Sequence, residues 1–186
     1  ILTCLIISIP QIYAEESKTT KELSEEVEEK KDENIKIPEK ESTSETEEKP
    51  VKEPSICYTT HIQDIGWQKQ VKDGEMAGTE GKSKRLEAIK INLQDLKDVK
   101  IKYQTHIQDI GWQGWKYDGN LSGTEGQSKR LEAIKIELEE SDKYSVMYRV
   151  HIQDIGWQDW KYDGEIAGTE GQSKRLEAIQ IKIVDK

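Results

Sequence analysis

The residues best suited to metal chemistry are three histidines, each followed three positions later by an aspartate. The pairs are His61 with Asp64, His106 with Asp109, and His151 with Asp154. Imidazole nitrogens and carboxylate oxygens are common metal ligands. In a β-strand, however, side chains three positions apart point to opposite faces unless a bulge intervenes. We therefore expect each histidine to hydrogen-bond a backbone group and each aspartate to cap a bulge, with no metal and no cofactor.

Two short segments have the composition of a sugar-binding surface. They read Trp-Lys-Tyr-Asp-Gly at residues 115–119 and again at 160–164. Aromatic rings near a loop can stack on the apolar face of a pyranose, and a nearby carboxylate can accept hydrogen bonds from its hydroxyl groups. The candidate ligand-binding residues are therefore Trp115, Tyr117, Asp118, Trp160, Tyr162 and Asp163.

The alternative is that these rings lie in the core. Earlier in the chain, the corresponding aromatic positions hold Gln70 and Lys72. If the rings contact sugar, that segment should bind poorly or not at all; if they are core, it must be packed differently.

Three further tryptophans each follow a glycine, in a Gly-Trp pair at a predicted strand end. They are Trp67, Trp112 and Trp157. A large ring at the same place in three related segments most simply fills a core between them. We therefore assign these tryptophans, together with His61, His106 and His151, a structural role.

Acidic and basic residues near the glycine-rich bends predict ion pairs rather than catalysis. Glu80, Arg85 and Glu87 recur as Glu125, Arg130 and Glu132 and as Glu170, Arg175 and Glu177. Exposed pairs of this kind contribute about 0–1 kcal/mol each. The sequence has no Ser-His-Asp, Cys-His, phosphate-loop or metalloprotease spacing. We predict no catalytic residue; a glycoside hydrolase using paired carboxylates is a distant alternative.

All these residues belong to an internal repeat with a period of 45 residues and no insertion. His-Ile-Gln-Asp-Ile-Gly-Trp at 61–67 recurs at 106–112 and 151–157, and Gly-Thr-Glu-Gly at 78–81 recurs at 123–126 and 168–171. The repeat defines three units, residues 58–102, 103–147 and 148–186, which together form a predicted domain over residues 57–186.

The pattern within each unit predicts β-strands. Tyr148, Val150 and Ile152 alternate with polar residues, and the phase then slips toward Trp157, which predicts a bulged strand. Asp163-Gly164 and the Gly-Thr-Glu-Gly segment supply two turns, so we expect three strand segments per unit. Strict alternation in the last run, residues 179–183, favours a strand over a helix.

Each unit has one apolar face and is too short to bury it alone, so the three units must pack together. Closure around a pseudo-threefold axis protects strand edges that an open stack would expose. The predicted fold is therefore all-β, with a β-prism-like arrangement favoured and a β-trefoil or a short open solenoid as alternatives.

The N-terminal third differs in composition. Residues 1–14 are mostly apolar and end in Ala14, which predicts the end of a truncated signal peptide and hence export, with no membrane insertion after cleavage. Residues 15–56 are rich in Glu, Lys, Ser, Thr and Pro and predict a disordered acidic linker. The net charge of −9 disfavours nucleic acid as a partner.

The repeated motif is similar to the clostridial hydrophobic repeat, the ChW family, over three tandem copies in residues 58–186. The resemblance rests on Tyr-x-x-His-Ile-Gln-Asp-Ile-Gly-Trp, then Asp-Gly, then Gly-Thr-Glu-Gly-x-Ser-x-Arg-Leu-Glu-Ala-Ile. It implies a secreted or surface-displayed protein of Gram-positive anaerobes. The predicted function is a non-catalytic module that attaches to cell-wall or environmental polysaccharide; the alternative is adhesion to a cell-surface protein. Neither the ligand nor the oligomeric state follows from the sequence.

Overall fold

The computed structural model describes residues 52–186. The predicted signal peptide and nearly all of the predicted linker lie outside the described residues. The first strand begins at Ser55, and Ile56 is fully buried, so the folded domain starts before the predicted linker boundary at residue 56. The predicted boundary differs because Pro54 and the charged residues before it resemble the linker. Only Ile56 and Tyr58 indicate that a strand begins here.

Fifteen β-strands and no helix form the described part of the chain, which confirms the all-β prediction. The first unit contains β1 (Ser55–Ile62), β2 (Gly66–Trp67), β3 (Val71–Lys72), β4 (Ala77–Gly78) and β5 (Leu86–Gln94). The second contains β6 (Lys100–Ile107), β7 (Gly111–Trp112), β8 (Lys116–Tyr117), β9 (Ser122–Gly123) and β10 (Leu131–Glu139). The third contains β11 (Tyr144–Ile152), β12 (Gly156–Trp157), β13 (Lys161–Tyr162), β14 (Ala167–Gly168) and β15 (Leu176–Asp185).

A long antiparallel pair forms the centre of each unit's sheet. β1 pairs with β5, β6 with β10 and β11 with β15. Along these strands the alternate apolar residues point inward, and the three inner faces form one core that contains Tyr58, Tyr103 and Tyr148. The polar residues between them lie on the outer face of each sheet.

The three sheets are closed into a ring by strand exchange. β9 of the second unit pairs with β5 of the first, β14 of the third pairs with β10 of the second, and β4 of the first pairs with β15 of the third. The last pairing joins the two ends of the domain, which excludes an open solenoid. Each unit therefore donates a strand to one neighbour and accepts a strand from the other.

The exchanged strands lie unusually close to their partners. Gly78 has φ +119°, and a Cβ placed there would meet Ala178 Cα at 2.5 Å. Gly123 and Gly168 have the same φ and make the same approach to Ala88 and Ala133. The first glycine of the Gly-Thr-Glu-Gly segment is therefore required by packing between units as well as by backbone conformation.

The segment that follows each histidine is a hairpin rather than the bulged strand predicted from its apolar pattern. β11 ends at Ile152, the N–H of Ile155 bonds to the Ile152 carbonyl, and β12 runs back along β11. Asp154 at φ 61° and Gly156 at φ 91° make this reversal possible. A bulge does occur beside it, as a register shift between His151 and Ile152. Each unit consequently has five strands, not three.

Cys57 is the free cysteine of the described residues and is buried. Burial raises the pKa of its thiol, and the nearby Asp73 carboxylate adds to this effect. A buried thiol kept neutral is poorly reactive. Because Cys57 is free, packing and hydrogen bonds rather than a disulfide hold the described residues together.

Candidate functional site

The outer face of each sheet carries a histidine and a tryptophan in contact. His61 lies opposite Trp67 in the β1–β2 pairing, so that both side chains lie on the same face. The ring centroids are 5.5 Å apart and nearly perpendicular, with an interplanar angle of 76°. His106 with Trp112 and His151 with Trp157 repeat this arrangement at the same distance.

The tryptophans of the Gly-Trp pairs are half-buried and absent from the core, so the expectation that they fill the space between units is wrong. The reason is register. His61 points outward because Ile62 points inward, and Trp67 takes the outward direction from its cross-strand partner His61. The three buried tyrosines occupy the core instead.

A positive charge lies over each of these rings. Lys90 Nζ is 4.4 Å from the Trp67 centroid, and Lys135 Nζ is 4.8 Å from that of Trp112. The third unit has Gln180 at the corresponding position, but Arg149 on the facing strand lies 4.9 Å from Trp157. The first two units thus use the equivalent lysine of their last long strand, and the third unit keeps the cation–π contact with an arginine from the facing strand.

The edge of each indole joins neighbouring units. Trp67 Nε1 donates a hydrogen bond to Glu125 Oε1 at 2.6 Å, and Trp112 donates to Glu170 at 2.6 Å. Trp157 donates to Glu80 at 3.4 Å, across the junction between the third and first units. The three glutamates are the third residues of the Gly-Thr-Glu-Gly segments. These glutamates therefore contact a tryptophan of a neighbouring unit, where the sequence predicted an ion pair.

A buried carboxylate lies behind each histidine. Glu87 is 5% exposed and accepts hydrogen bonds from Arg85, with Nε to Oε1 at 2.9 Å. Its other oxygen is 3.1 Å from His61 Nδ1, although the two atoms are not aligned for a hydrogen bond. The other units repeat these contacts at Glu132 and Glu177. The histidines therefore contact a carboxylate, where the sequence had predicted a backbone partner.

The histidines and aspartates of the His-x-x-Asp pairs do not converge. Asp64 lies in the hairpin turn at φ 61°, and its carboxylate accepts from Lys84 Nζ at 3.1 Å. Asp109 and Asp154 pair in the same way with Lys129 and Lys174. Within residues 52–186, no group of three or more His, Cys, Asp or Glu residues is arranged to hold a metal ion.

The first predicted sugar-binding segment lies at the outer surface of the second unit. Trp115 is 36% exposed and Tyr117 is 38% exposed. Lys102 Nζ lies 5.1 Å from the Trp115 centroid and forms ion pairs with Glu137 at 3.3 Å and Glu139 at 2.9 Å. Hydrogen bonds to these two carboxylates raise the pKa of Lys102. Trp115 thus offers an accessible ring beside a neutralised charge.

The corresponding ring in the third unit has different surroundings. Trp160 is half-buried, and both Arg149 Cζ and Lys182 Nζ lie 4.7 Å from its centroid. Tyr162 beside it is exposed. Trp160 therefore supports two cations and is a less open stacking surface than Trp115.

The aspartates of the two segments have a structural role. Asp118 Oδ1 accepts from the Ile101 N–H at 3.2 Å, and Asp163 Oδ1 accepts from the Val146 N–H at 2.9 Å. Asp73 makes the same bond to Ile56 in the first unit, which lacks the aromatic residues. Because this bond is present in all three units, it explains the Asp-Gly pair without a ligand. The sugar-contacting role predicted for Asp118 and Asp163 has no separate support from the geometry.

Residues 52–186 also contain a surface groove away from the tryptophans. An open groove of about 230 Å³ lies between Pro54, Tyr144 and the end of β15, and its lining includes none of the tryptophans. No helix long and apolar enough to span a bilayer occurs in this part of the chain.

The cations over the rings were missed from the sequence. Lys90 and Lys135 occupy the same position of the repeat, but the third unit has Gln180 there and uses Arg149 from the facing strand, so the repeated motif alone does not identify all three cations. A compensating exchange in the sequence points to them. Where the last long strand has Gln180 in place of lysine, the facing strand has Arg149 in place of Thr59 or Gln104.

Comparison with known proteins identifies one family. The model described as clostridial hydrophobic W matches residues 61–95, 106–140 and 151–185, together more than half of the chain. No curated protein and no solved structure matches the chain.

Proposed function

The chain belongs to the clostridial hydrophobic W family, and from that premise we propose that residues 52–186 form a non-catalytic module that attaches an exported protein to polysaccharide. The observation that carries the proposal is the exposed pair Trp115 and Tyr117 on the outer face of the second sheet. Export is inferred from the apolar segment at residues 1–14.

The accessible indole is suited to a sugar ring. A pyranose has an apolar face of C–H bonds, and an indole on a rigid sheet can stack against it with little loss of conformational freedom. The rigid support here is the β6–β8 pairing, in which Tyr117 lies opposite Lys102 and Lys116 opposite Tyr103. Tyr162 occupies the same place on the third sheet, so the second and third units both present aromatic side chains.

Repetition would strengthen a weak contact with a polymer. Two aromatic sites on one closed ring of sheets are held at a fixed separation. Once one site has bound a repeating chain, the second encounters the same chain at high effective concentration. A shallow surface is sufficient for such binding, because affinity accumulates over several contacts.

The test is binding of the full chain to insoluble peptidoglycan and to plant polysaccharides, measured by pull-down. We expect Trp115→Ala to reduce binding by about tenfold, the loss of one stacked ring worth roughly 1–2 kcal/mol. Gln70→Ala is the matched control, because Gln70 occupies the same repeat position in the unit that lacks the aromatic residues. Unchanged binding by Trp115→Ala, at an unchanged unfolding midpoint, would contradict the proposal.

A protein partner is the second candidate, and a separate surface favours it. Ile65, Ile110 and Ile155, at the tips of the three hairpin turns, are 49%, 49% and 51% exposed. Aliphatic side chains at such positions contribute little to the fold and are suited to contacts with apolar protein surfaces. Replacing all three by serine should abolish capture of a cell-surface protein and leave glycan binding intact. The reverse result would exclude this candidate.

A further inference from the structure

We infer that the outer face of the third unit binds a carboxylate-bearing sugar, so that the preferred polymer is an acidic polysaccharide. The inference rests on the proposed function and specifies its substrate class. It depends on Arg149 and Lys182, two cations held against the ring of Trp160.

Neither Arg149 nor Lys182 forms an ion pair with a carboxylate among residues 52–186, although Asp159 directly precedes Trp160. Arg149 Nε donates to the neutral Gln180 Oε1 at 2.7 Å. Uncompensated cations of this kind, fixed in place and partly exposed, attract a carboxylate from solution.

The other two units show that this charge is specific to the third. The position of Arg149 is occupied by Thr59 in the first unit and Gln104 in the second, and that of Lys182 by Asn92 and Glu137. In the second unit the cation near Trp115 is Lys102, which is paired with two glutamates. Among the two Trp-Lys-Tyr segments of the described residues, only that of the third unit therefore has its tryptophan in contact with cations that form no ion pair.

The aromatic rings position the cations. Arg149 Cζ lies 4.9 Å from the Trp157 centroid and 4.7 Å from that of Trp160, so the guanidinium is near both rings. Lys182 contacts Trp160 at 4.7 Å, and its aliphatic stem passes close to Gly74 in the turn of the first unit. A guanidinium restrained in this way loses less side-chain entropy when its N–H groups bind a carboxylate.

A uronate-type sugar fits this surface better than an isolated anion. In such a sugar the carboxylate is attached to the pyranose ring, so an ion pair with Arg149 and Lys182 places the ring beside the exposed Tyr162. The neutral part of the polymer can then reach the Trp115 surface of the second unit. The third unit would bind the carboxylate of the polymer, and the second unit would bind the apolar face of a sugar ring.

The experiment compares polygalacturonate with its fully methyl-esterified form, which has the same backbone and no charge. We expect the full chain to bind polygalacturonate about tenfold more tightly at low salt, and the difference to shrink as salt rises. The double variant Arg149→Gln with Lys182→Asn converts both positions to residues of the other units. It should remove the preference and retain binding to the ester.

A matched control tests whether the loss of any two positive charges would have the same effect. Lys97→Gln with Lys100→Gln removes the same charge at exposed positions before and at the start of β6, and should leave the preference unchanged. Equal binding of the two polymers, or an equal effect of both double variants, would overturn the inference and leave the proposed function standing. Tighter binding to a polyglycerol phosphate than to polygalacturonate would also overturn it. Binding to none of the polymers would contradict both proposals.

Discussion

The hydroxyl of Tyr58 accepts a hydrogen bond from the N–H of Ile181 at 3.0 Å, across 123 residues of sequence. The same hydroxyl donates to the Glu75 carbonyl, and the Ile181 carbonyl accepts from Gly74 N–H at 2.7 Å. Tyr103 and Tyr148 bridge the other two junctions in the same way, to Ile91 and Ile136. Each buried tyrosine therefore satisfies a strand-edge N–H of the preceding unit, with the first unit following the third.

Loss of one such hydroxyl should weaken the closed ring. Tyr58→Phe leaves the Ile181 N–H and the Glu75 carbonyl without their partner in a buried site. An unsatisfied buried polar group costs about 1–3 kcal/mol. We expect the free energy of unfolding, measured in urea, to fall by about that amount. Tyr117→Phe is the control, because Tyr117 is exposed, and a similar loss in the control would contradict the argument.

Much of this architecture could be predicted from the sequence because the repeat and its alternation are local patterns. Strands such as β15 follow from Ile-x-Ile periodicity, and closure follows from the need of each short unit to bury an apolar face. The exchange of β4 could not be predicted, because a two-residue strand has no periodicity and its partner lies about a hundred residues away.

The candidate site was only partly predictable for a related reason. The turn that follows the Trp-Lys-Tyr segments left a surface and a core position open; Trp115 and Tyr117 are exposed, whereas Trp160 at the same repeat position is half-buried. The core position predicted for Trp67 rests on its size and its recurrence in three units, whereas its direction is set by the hairpin at Asp64, which pairs it with the outward-pointing His61. The cation contacts depend on cross-strand register, and an alternation pattern does not determine which residues of two strands lie opposite each other.

The exchanged strand offers a second, sharper test of closure. Gly78→Ala should be strongly destabilising, by about 3 kcal/mol or more, because its Cβ would collide with backbone atoms of Glu177 and Ala178. Gly81→Ala is the matched control: it also has positive φ, at 70°, but nothing lies within 4 Å of its Cβ position. We expect the control to cost about 1 kcal/mol from backbone conformation alone. Equal thermal shifts for the two variants would show that β4 can separate from β15 at no cost.

Alkaline pH should unfold the domain through the same tyrosines. Burial raises the pKa of Tyr58 and of Tyr103 from the ordinary value of 10.0 to about 12, and it also raises the pKa of Tyr148. A raised folded-state pKa contributes stability that is fully present below pH 10 and is lost as pH rises toward 12. Each tyrosine should remove about 1.4 kcal/mol per pH unit in that window.

The measurement is the stability at several alkaline pH values, together with tyrosinate absorbance. The three core tyrosines should ionise together with loss of structure. Stability that stays constant from pH 10 to 12, or a single ionisation step for all tyrosines in the folded state, would be inconsistent with their burial.

The strand exchange also predicts how a single unit behaves in isolation. Residues 99–143, which span β6 to β10, carry β9 without the β5 it pairs with, and β10 without the β14 that covers its edge. Because both the donor and the acceptor are present in one unit, three copies can close the same ring that the covalent chain closes. We expect light scattering to show an unfolded monomer at low concentration and a folded trimer at high concentration. Gly123→Ala, which blocks the close approach of β9, should abolish the trimer. A folded monomer would mean that one unit buries its own apolar face, and the threefold packing described above would then be unnecessary for stability.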